Sequence, residues 1–355
     1  MSHTPAMNPN HKQLAVDSKK RRLSPSFLIL VSVIGVVLGI VLSITVGAAD
    51  ISLSTILDAV FHYDPSSVQH YTIISVRLPR AVIAVIVGGC FAISGALMQG
   101  MTRNPLASPG LLGVSAGASF ATVVAFAFFP LLTYHQMILV ALIGAAAATL
   151  IVYGAGTLAS YNKGDHQSHV KLALAGAAIS AMLGAFSDGM QIYYGLAQEV
   201  MFWYAAGISG VKWQDVLTIA PWTAVGLAAA LGLSANITLL SLGDDTAASL
   251  GQRVKLVKLG GALTVFMLTG SAVAVAGPIG FIGLIIPHLT RFLIGVDYRA
   301  IIPCAALLGG LLLLTADTVS RLVNPPLETP VGILTALLGI PFFLYLARKG
   351  GKGVS

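Results

Sequence analysis

Long apolar segments alternate with short polar ones along almost the whole chain, and this pattern predicts its architecture. A transmembrane helix needs about 20 consecutive, mostly apolar residues. Such segments lie at roughly 27–48, 80–101, 109–130, 135–158, 171–193, 215–233, 255–276, 280–296, 300–319 and 330–347. The period-two alternation that is typical of membrane-spanning strands is absent. We therefore predict an all-α, polytopic membrane protein with about ten transmembrane helices.

Helix-breaking residues interrupt the chain at two of these segments. The third follows "NPLASPG" (104–110), and the eighth overlaps "GPIGFIG" (277–283). Pro and Gly favour turns and disfavour helix interiors. We expect a sharp reversal of the chain at both places, and less regular third and eighth spans.

Two of the predicted helices carry many small residues. The stretches "GGCFAISGALMQG" (88–100) and "GAAAATLIVYGAG" (144–156) are rich in Gly, Ala and Ser. Small side chains let the backbones of neighbouring membrane helices approach closely. We therefore expect a tightly packed bundle.

Composition and charge agree with a membrane protein. The 355 residues are 56% hydrophobic and 9% charged, and the mean hydropathy is +0.87. The formal net charge is +7, but the basic residues lie at the ends of apolar segments and do not form one patch. We therefore expect contact with a lipid membrane and none with nucleic acid.

The distribution of Lys and Arg predicts the orientation. If residues 1–26 form a cytosolic tail, the transmembrane domain covers 27–348 and a second cytosolic tail covers 349–355. Sixteen of the 20 Lys and Arg residues then lie on the cytosolic side, as the positive-inside rule requires. The four on the outer side are Arg77, Arg80, Lys212 and Arg321.

The sequence lacks the motifs of catalysis and of metal or nucleotide binding. No phosphate-binding G-x-x-x-x-G-K-[ST] occurs, nor do H-E-x-x-H, C-x-x-C or G-x-S-x-G. We therefore expect neither an enzyme, nor a cofactor, nor a metal site. A proton-coupled carrier would need an acidic residue in the membrane. Asp317 pairs with Arg321 in the helical i,i+4 register, which leaves Asp188 as the candidate for this alternative.

A short polar segment between the sixth and seventh spans has the features of a helix that does not cross the membrane. Asp244 and Asp245 suit a helix N-terminus, and Gly251 is a natural stop. Between them, Ala247, Ala248 and Leu250 are predicted to form a small apolar face. The segment 244–251 is either a docking helix for a cytosolic partner or an ordinary loop helix.

Four motifs together resemble one family of transporters. They are "RLPRAVIAVIVGGCFAISGALMQGMTRNPLASPGLLGVSAGAS" (77–119), "SLGDDTAASLG" (241–251), "GPIGFIGLIIPHLTR" (277–291) and "ADTVSRL" (316–322). The chain resembles the FecCD-type membrane permeases of ABC importers for iron–siderophores, haem and cobalamin. The resemblance runs from about residue 28 to 348 and implies a type II ABC importer permease bundle.

The resemblance also implies partners in a bacterial cytoplasmic membrane. They are a second permease subunit, identical or paralogous, two separate ABC ATPase subunits, and an extracytoplasmic substrate-binding protein. The segment 244–251 would be the coupling helix that contacts the ATPase. The cargo would be an iron(III)–siderophore, with haem and cobalamin as alternatives.

The resemblance further implies roles for single residues. Arg77, Arg80 and Arg321 would meet carboxylates of the binding protein, because arginine forms bidentate pairs with carboxylates. The alternative is that these arginines bind lipid headgroups or helix-end carbonyls. The fifth helix would line the translocation path, with an inner gate at His169 and Val170.

Overall fold

The computed structural model describes residues 23–47, 51–159, 168–324 and 328–350, and in these residues the protein contains α-helices and no β-strand. The α-helices are α1 (Pro25–Thr45), α2 (Leu53–Phe61), α3 (Val68–Tyr71), α4 (Leu78–Thr102), α5 (Val114–Phe128), α6 (Tyr134–Ala159), α7 (Ser168–Tyr194), α8 (Ala197–Ala206), α9 (Trp213–Ser241), α10 (Asp244–Ser249), α11 (Val254–Ala276), α12 (Ile282–Ile294), α13 (Tyr298–Val323) and α14 (Val331–Gly350). A π-helical segment (Thr72–Arg77) joins α3 to α4, and a 3₁₀ turn (Pro109–Leu112) precedes α5.

The ten predicted spans all correspond to helices of the structure. Seven helices in the described residues are long and apolar enough to cross a membrane: α1, α4 with the segment before it, α6, α7, α9, α11 and α13. The other three predicted spans correspond to the shorter apolar helices α5, α12 and α14. The all-α, polytopic fold predicted from the apolar pattern is therefore confirmed.

The third and eighth spans are shorter in the structure than predicted, and Pro- and Gly-containing segments precede both of them. At a rise of about 1.5 Å per residue, α5 and α12 are only about 22 and 20 Å long, whereas the hydrocarbon core is about 30 Å thick. Backbone that is not α-helical precedes each of them. Before α5, the carbonyl of Leu111 lies so close to Gly176 of α7 that a Cβ there would be 1.9 Å away. Within a membrane, irregular backbone is tolerated when it is buried in protein.

Helix α4 lies at the centre of the bundle. In the most apolar stretch of this span, 83% is buried. The helix packs against α13, α11, α9, α12 and α1. Small residues make the closest contacts: a Cβ on Gly88 would be 2.2 Å from the carbonyl oxygen of Gly309 in α13, and one on Gly95 would be 1.9 Å from that of Gly283 in α12. The close approach predicted from the small-residue stretches is confirmed.

The start of α4 differs from the prediction that the span begins near residue 80. The helix continues upstream of Pro79, through the π-helical segment to Val68. A proline inside an α-helix clashes with the carbonyl four residues before it and removes one hydrogen bond. Here the preceding turn widens, with the Leu78 N–H donating to the carbonyl of Ile73.

In the same π-helical pattern, the carbonyl of Ile74 would accept a hydrogen bond from the backbone N–H five residues later. That residue is Pro79, which has no N–H. The indole Nε1–H of Trp213, at the start of α9, donates to the Ile74 carbonyl at 2.8 Å. A side chain from another helix therefore satisfies the group that the proline leaves unpaired.

Candidate functional site

A buried carboxylate organises the end of the bundle where α4 begins. Asp317 of α13 is 1% exposed, and Arg80 of α4 is 8% exposed. The Nε of Arg80 donates to both Asp317 oxygens at 3.1 Å, and its Nη2 donates to Oδ1 at 2.8 Å. This bidentate pair joins two helices through residues that are 237 positions apart in sequence.

A second carboxylate pairs with another nitrogen of the same guanidinium. The Nη1 of Arg80 donates to Oε1 of Glu328 at 2.8 Å. Glu328 lies in the connection between α13 and α14, and its side chain is 43% exposed. Arg80 is therefore held on one side by a buried acid and on the other by an acid that solvent can reach.

The other two predicted arginines lie at the C-terminal end of α1. Arg77 Nη1 donates to the carbonyl oxygens of Ile44 and Thr45. Arg321 Nη1 donates to those of Ser43 and Val46, each at 3.0 Å. The last carbonyls of a helix have no partner within the helix and carry partial negative charge, so cations are favourable there.

The structure thus brings Arg77, Arg80 and Arg321 together, as the predicted common role requires. It also places Arg321 beside Asp317, with Nη2 3.4 Å from Oδ2 in the predicted i,i+4 pair. For Arg77 and Arg321, the helix-end carbonyl contacts considered in the sequence are present within the subunit. Their role toward a binding protein stays a prediction.

Sequence reasoning missed the two most important partners of Arg80. The pairing with Asp317 joins distant parts of the chain, and no local pattern indicates it. For Glu328 there was a weak signal, because it is an acidic residue in the connection that follows Arg321.

The short polar helix predicted at 244–251 forms as α10, with bounds Asp244–Ser249. Both acids lie in its first turn, where they interact favourably with the helix dipole. Gly251 has φ +82° and its N–H donates to the carbonyl of Ala248, so it ends the helix as predicted. Asp244 also forms an ion pair with Lys258 of α11.

The apolar residues of this segment do not form one face, in contrast to the prediction. Ala247 is fully buried against the bundle, whereas Ala248 is exposed and Leu250 is 62% exposed. A helix of six residues has too few turns for its pattern to reveal the inward side. Of the predicted coupling residues, Asp245, Ala248, Leu250 and Gly251 remain exposed to a partner.

Arg77, Arg80 and Arg321, together called the arginine cluster, lie near one end of α4, and α10 lies near the other. Arg80 is in the first turn of α4, and Arg103 follows its last residue. Arg103 lies beside Gly243, the residue that precedes α10. The length of α4 between these points is about 35 Å, so the two surfaces are one membrane thickness apart.

The predicted gate residues His169 and Val170 are in the first turn of α7, and their side chains lie outside the part of the chain that the structure describes. Only 11% of the α7 span is buried in the subunit. Most of the surface of this helix is therefore not covered by the rest of the subunit.

Comparison with known proteins identifies the family. The profile of the FecCD transport family matches residues 35–349. The chain belongs to the FecCD transport family. The match covers nine of the ten spans completely and includes the arginine cluster and α10.

Curated relatives match at nearly full length. The "Iron(3+)-hydroxamate import system permease protein FhuB" of Bacillus subtilis (strain 168) is 51% identical over 89% of this chain and 82% of its own length. The "Hemin transport system permease protein HmuU" of Yersinia pestis is 40% identical over 92% and 96%. The chain is therefore a transport permease and not an enzyme.

A solved structure has the same fold. It is described as an inward-facing conformation of a metal-chelate type ABC transporter, and it is 29% identical with a TM-score of 0.80. The match covers 92% of this chain and all of the other. The bundle of α1–α14 is therefore the permease fold of this transporter class.

Proposed function

We propose that this FecCD-family protein is the permease subunit of an ATP-driven importer for an iron(III)–siderophore complex. The observation that carries the cargo assignment is the 51% identity to an iron(3+)-hydroxamate permease. Relatives named for ferric citrate and ferric enterobactin support the siderophore class. The hemin permease at 40% identity makes haem the second candidate cargo.

The membrane follows from the family, and the orientation follows from the positive-inside count. The protein lies in the bacterial cytoplasmic membrane with both tails, 1–26 and 349–355, in the cytosol. The arginine cluster then faces outward, where a substrate-binding protein docks through carboxylates on Arg77, Arg80 and Arg321. A basic surface attracts an acidic partner and orients it.

The opposite end contacts the ATPase. Helix α10 inserts into a groove of an ABC ATPase through Asp245, Ala248 and Leu250. Asp244 and Ala247 hold the helix on the bundle, and Gly251 ends it. Its small size and exposed leucine support this role, because a helix that docks in a groove needs an apolar anchor.

A second permease subunit completes the pathway. The α7 span is the least buried of the seven long spans and also the least apolar. A surface of this kind suits a protein partner or a water-filled path better than lipid. Helix α7 therefore lines the path between two permease subunits, with the inner gate at His169 and Val170.

Reconstitution tests this function. The permease is reconstituted into liposomes with its cognate ATPase and binding protein, and radioactive iron is supplied as a ferric hydroxamate or as haem. We expect ATP-dependent uptake of the hydroxamate complex in preference to haem. Preferential uptake of haem would overturn the cargo assignment. Uptake without ATPase on a proton gradient would overturn the importer and favour a carrier that uses Asp188.

A further inference from the structure

The exposed acid on Arg80 occupies the position that a docking carboxylate would need. We propose that Glu328 is an internal competitor, which the carboxylate of the binding protein must displace from Arg80 and which thereby sets the docking affinity. The inference rests on the proposed docking of a binding protein at the arginine cluster. It adds a residue of this chain that opposes docking.

The geometry separates the two acids that hold Arg80. Asp317 is 1% exposed and engages Nε and Nη2, so a partner protein has no access to it. Glu328 engages Nη1, and its side chain is 43% exposed. Of the two acids that hold Arg80 in the described residues, Glu328 is therefore the one that solvent reaches.

Exchange of one carboxylate for another is physically favourable at this site. A buried arginine is strongly destabilising when its partner is removed and nothing replaces it. If the partner carboxylate takes the place of Glu328, the Nη1 group keeps an acidic acceptor before and after docking. Exposed ion pairs are weak, so Glu328 is the contact that yields while the Asp317 pair persists.

The negative charge of Glu328 lowers the affinity of the cluster for an acidic partner. The cluster contains three arginines and two acids, Asp317 and Glu328, and Arg321 lies within electrostatic range of all the others. Without the charge of Glu328, the cluster would attract an acidic partner more strongly. The present arrangement therefore lowers the affinity for the binding protein and favours its release.

The test compares two isosteric charge removals. Glu328→Gln is prepared in the complete complex of permease and ATPase, and its Kd for the cognate binding protein is measured at low salt. The control is Glu199→Gln, an exposed acid of α8 that the same orientation also places on the outer side. We expect Glu328→Gln to lower the Kd roughly two- to fivefold, as expected for loss of an exposed ion pair, and Glu199→Gln to leave it nearly unchanged.

The outcomes separate this inference from the docking proposal. Salt titration of the wild-type complex tests docking through charges, because exposed ion pairs weaken as salt screens them. A Kd that does not rise with salt would overturn that docking. If the Kd rises with salt but Glu328→Gln binds like the wild type or like Glu199→Gln, the internal competitor alone is refuted. Tighter binding confined to Glu328→Gln supports it.

Discussion

At the scale of single residues, Asp317 is the most constrained group of the site. It accepts hydrogen bonds from Arg80 and lies beside Arg321, while being almost completely buried. Removing one member of a buried ion pair leaves an uncompensated charge and costs about 3–5 kcal/mol. The same side chain that orients the arginines therefore also stabilises the contact between α4 and α13.

We expect Asp317→Asn to destabilise the protein markedly, because the Asn side chain is neutral. Arg321 then loses its carboxylate partner, and the buried Arg80 keeps only the more exposed of its two acids, Glu328. Thermal unfolding of the purified permease in detergent measures the effect. Asp245→Asn, an exposed acid of α10, is the control and should unfold near the wild-type temperature. Equal unfolding temperatures for both variants would show that the buried pair contributes little.

What the sequence revealed at this scale depended on distance along the chain. The pairing of Asp317 with Arg321 was predictable, because residues four apart share one face of a helix. The pairing of Asp317 with Arg80 was not, since it depends on how two helices far apart in sequence pack. The positive-inside count singled out the arginines, but it contains no information about their partners.

At the scale of elements, the contact between α4 and α13 depends on the absence of side chains at two glycines. Gly88 and Gly309 face each other, and a Cβ on either would lie 2.2 to 2.4 Å from the carbonyl oxygen of the other. Backbone atoms on both sides leave no flexible group that could move away. The two helices therefore approach as closely as their main chains permit.

We expect Gly88→Ala to destabilise the permease by about 1–3 kcal/mol, the usual range for overpacking a tight interior. The matched control is Gly232→Ala in α9, where an added Cβ meets nothing within 4 Å. In a helix, Ala is intrinsically better than Gly by up to about 1 kcal/mol, so the control should be neutral or slightly stabilised. The unfolding midpoints of the two variants are compared. A Gly88→Ala protein as stable as Gly232→Ala would contradict this prediction.

Helix α10 gives a second prediction at this scale. Leu250→Ser removes the largest exposed apolar side chain of the segment, so we expect weaker association with the ATPase and loss of ATP-driven uptake. Co-purification and uptake are measured together. Leu53→Ser, a similarly exposed leucine of α2 at the other end of the bundle, should retain the ATPase. Normal coupling in Leu250→Ser would refute the role of α10.

The elements themselves were largely predictable, because a transmembrane span is defined locally by apolar length. The Pro and Gly residues before α5 and α12 indicated irregular spans, but the predicted third span, 109–130, extends beyond α5 at both ends. Two features were not predictable. The upstream continuation of α4 past Pro79 depends on Trp213 from another helix, and the inward side of α10 depends on its packing against α9 and α11.

At the scale of the whole molecule, the chain combines a buried centre around α4 with a helix, α7, that is almost unburied. A strongly apolar helix such as α1 is stable in contact with lipid even when little of it is buried in protein. Helix α7, however, is the least apolar of the long spans. This contrast is visible only after the fold is known, because apolar content alone says nothing about neighbours.

Solvent access to α7 in the assembled transporter is therefore a direct test. In a background with Cys90→Ala and Cys304→Ala, we expect Met182→Cys of α7 to react with a membrane-impermeant maleimide during the transport cycle. Leu38→Cys of α1, which is similarly exposed in the single chain, should face lipid and react slowly. Equal labelling of the two positions would contradict a path lined by α7.

The π-helical segment before Pro79 has a consequence for deletions in this part of the chain. Such a turn contains one residue more than an α-helical turn, and each residue of a helix turns the chain by about 100°. Losing one residue between Thr72 and Arg77 would rotate α3 and the loop before it by more than a quarter turn relative to α4. Arg80 and Asp317 would keep their pairing, but the Ile74 carbonyl would turn away from Trp213. Homologues should therefore vary in residue type here more readily than in length.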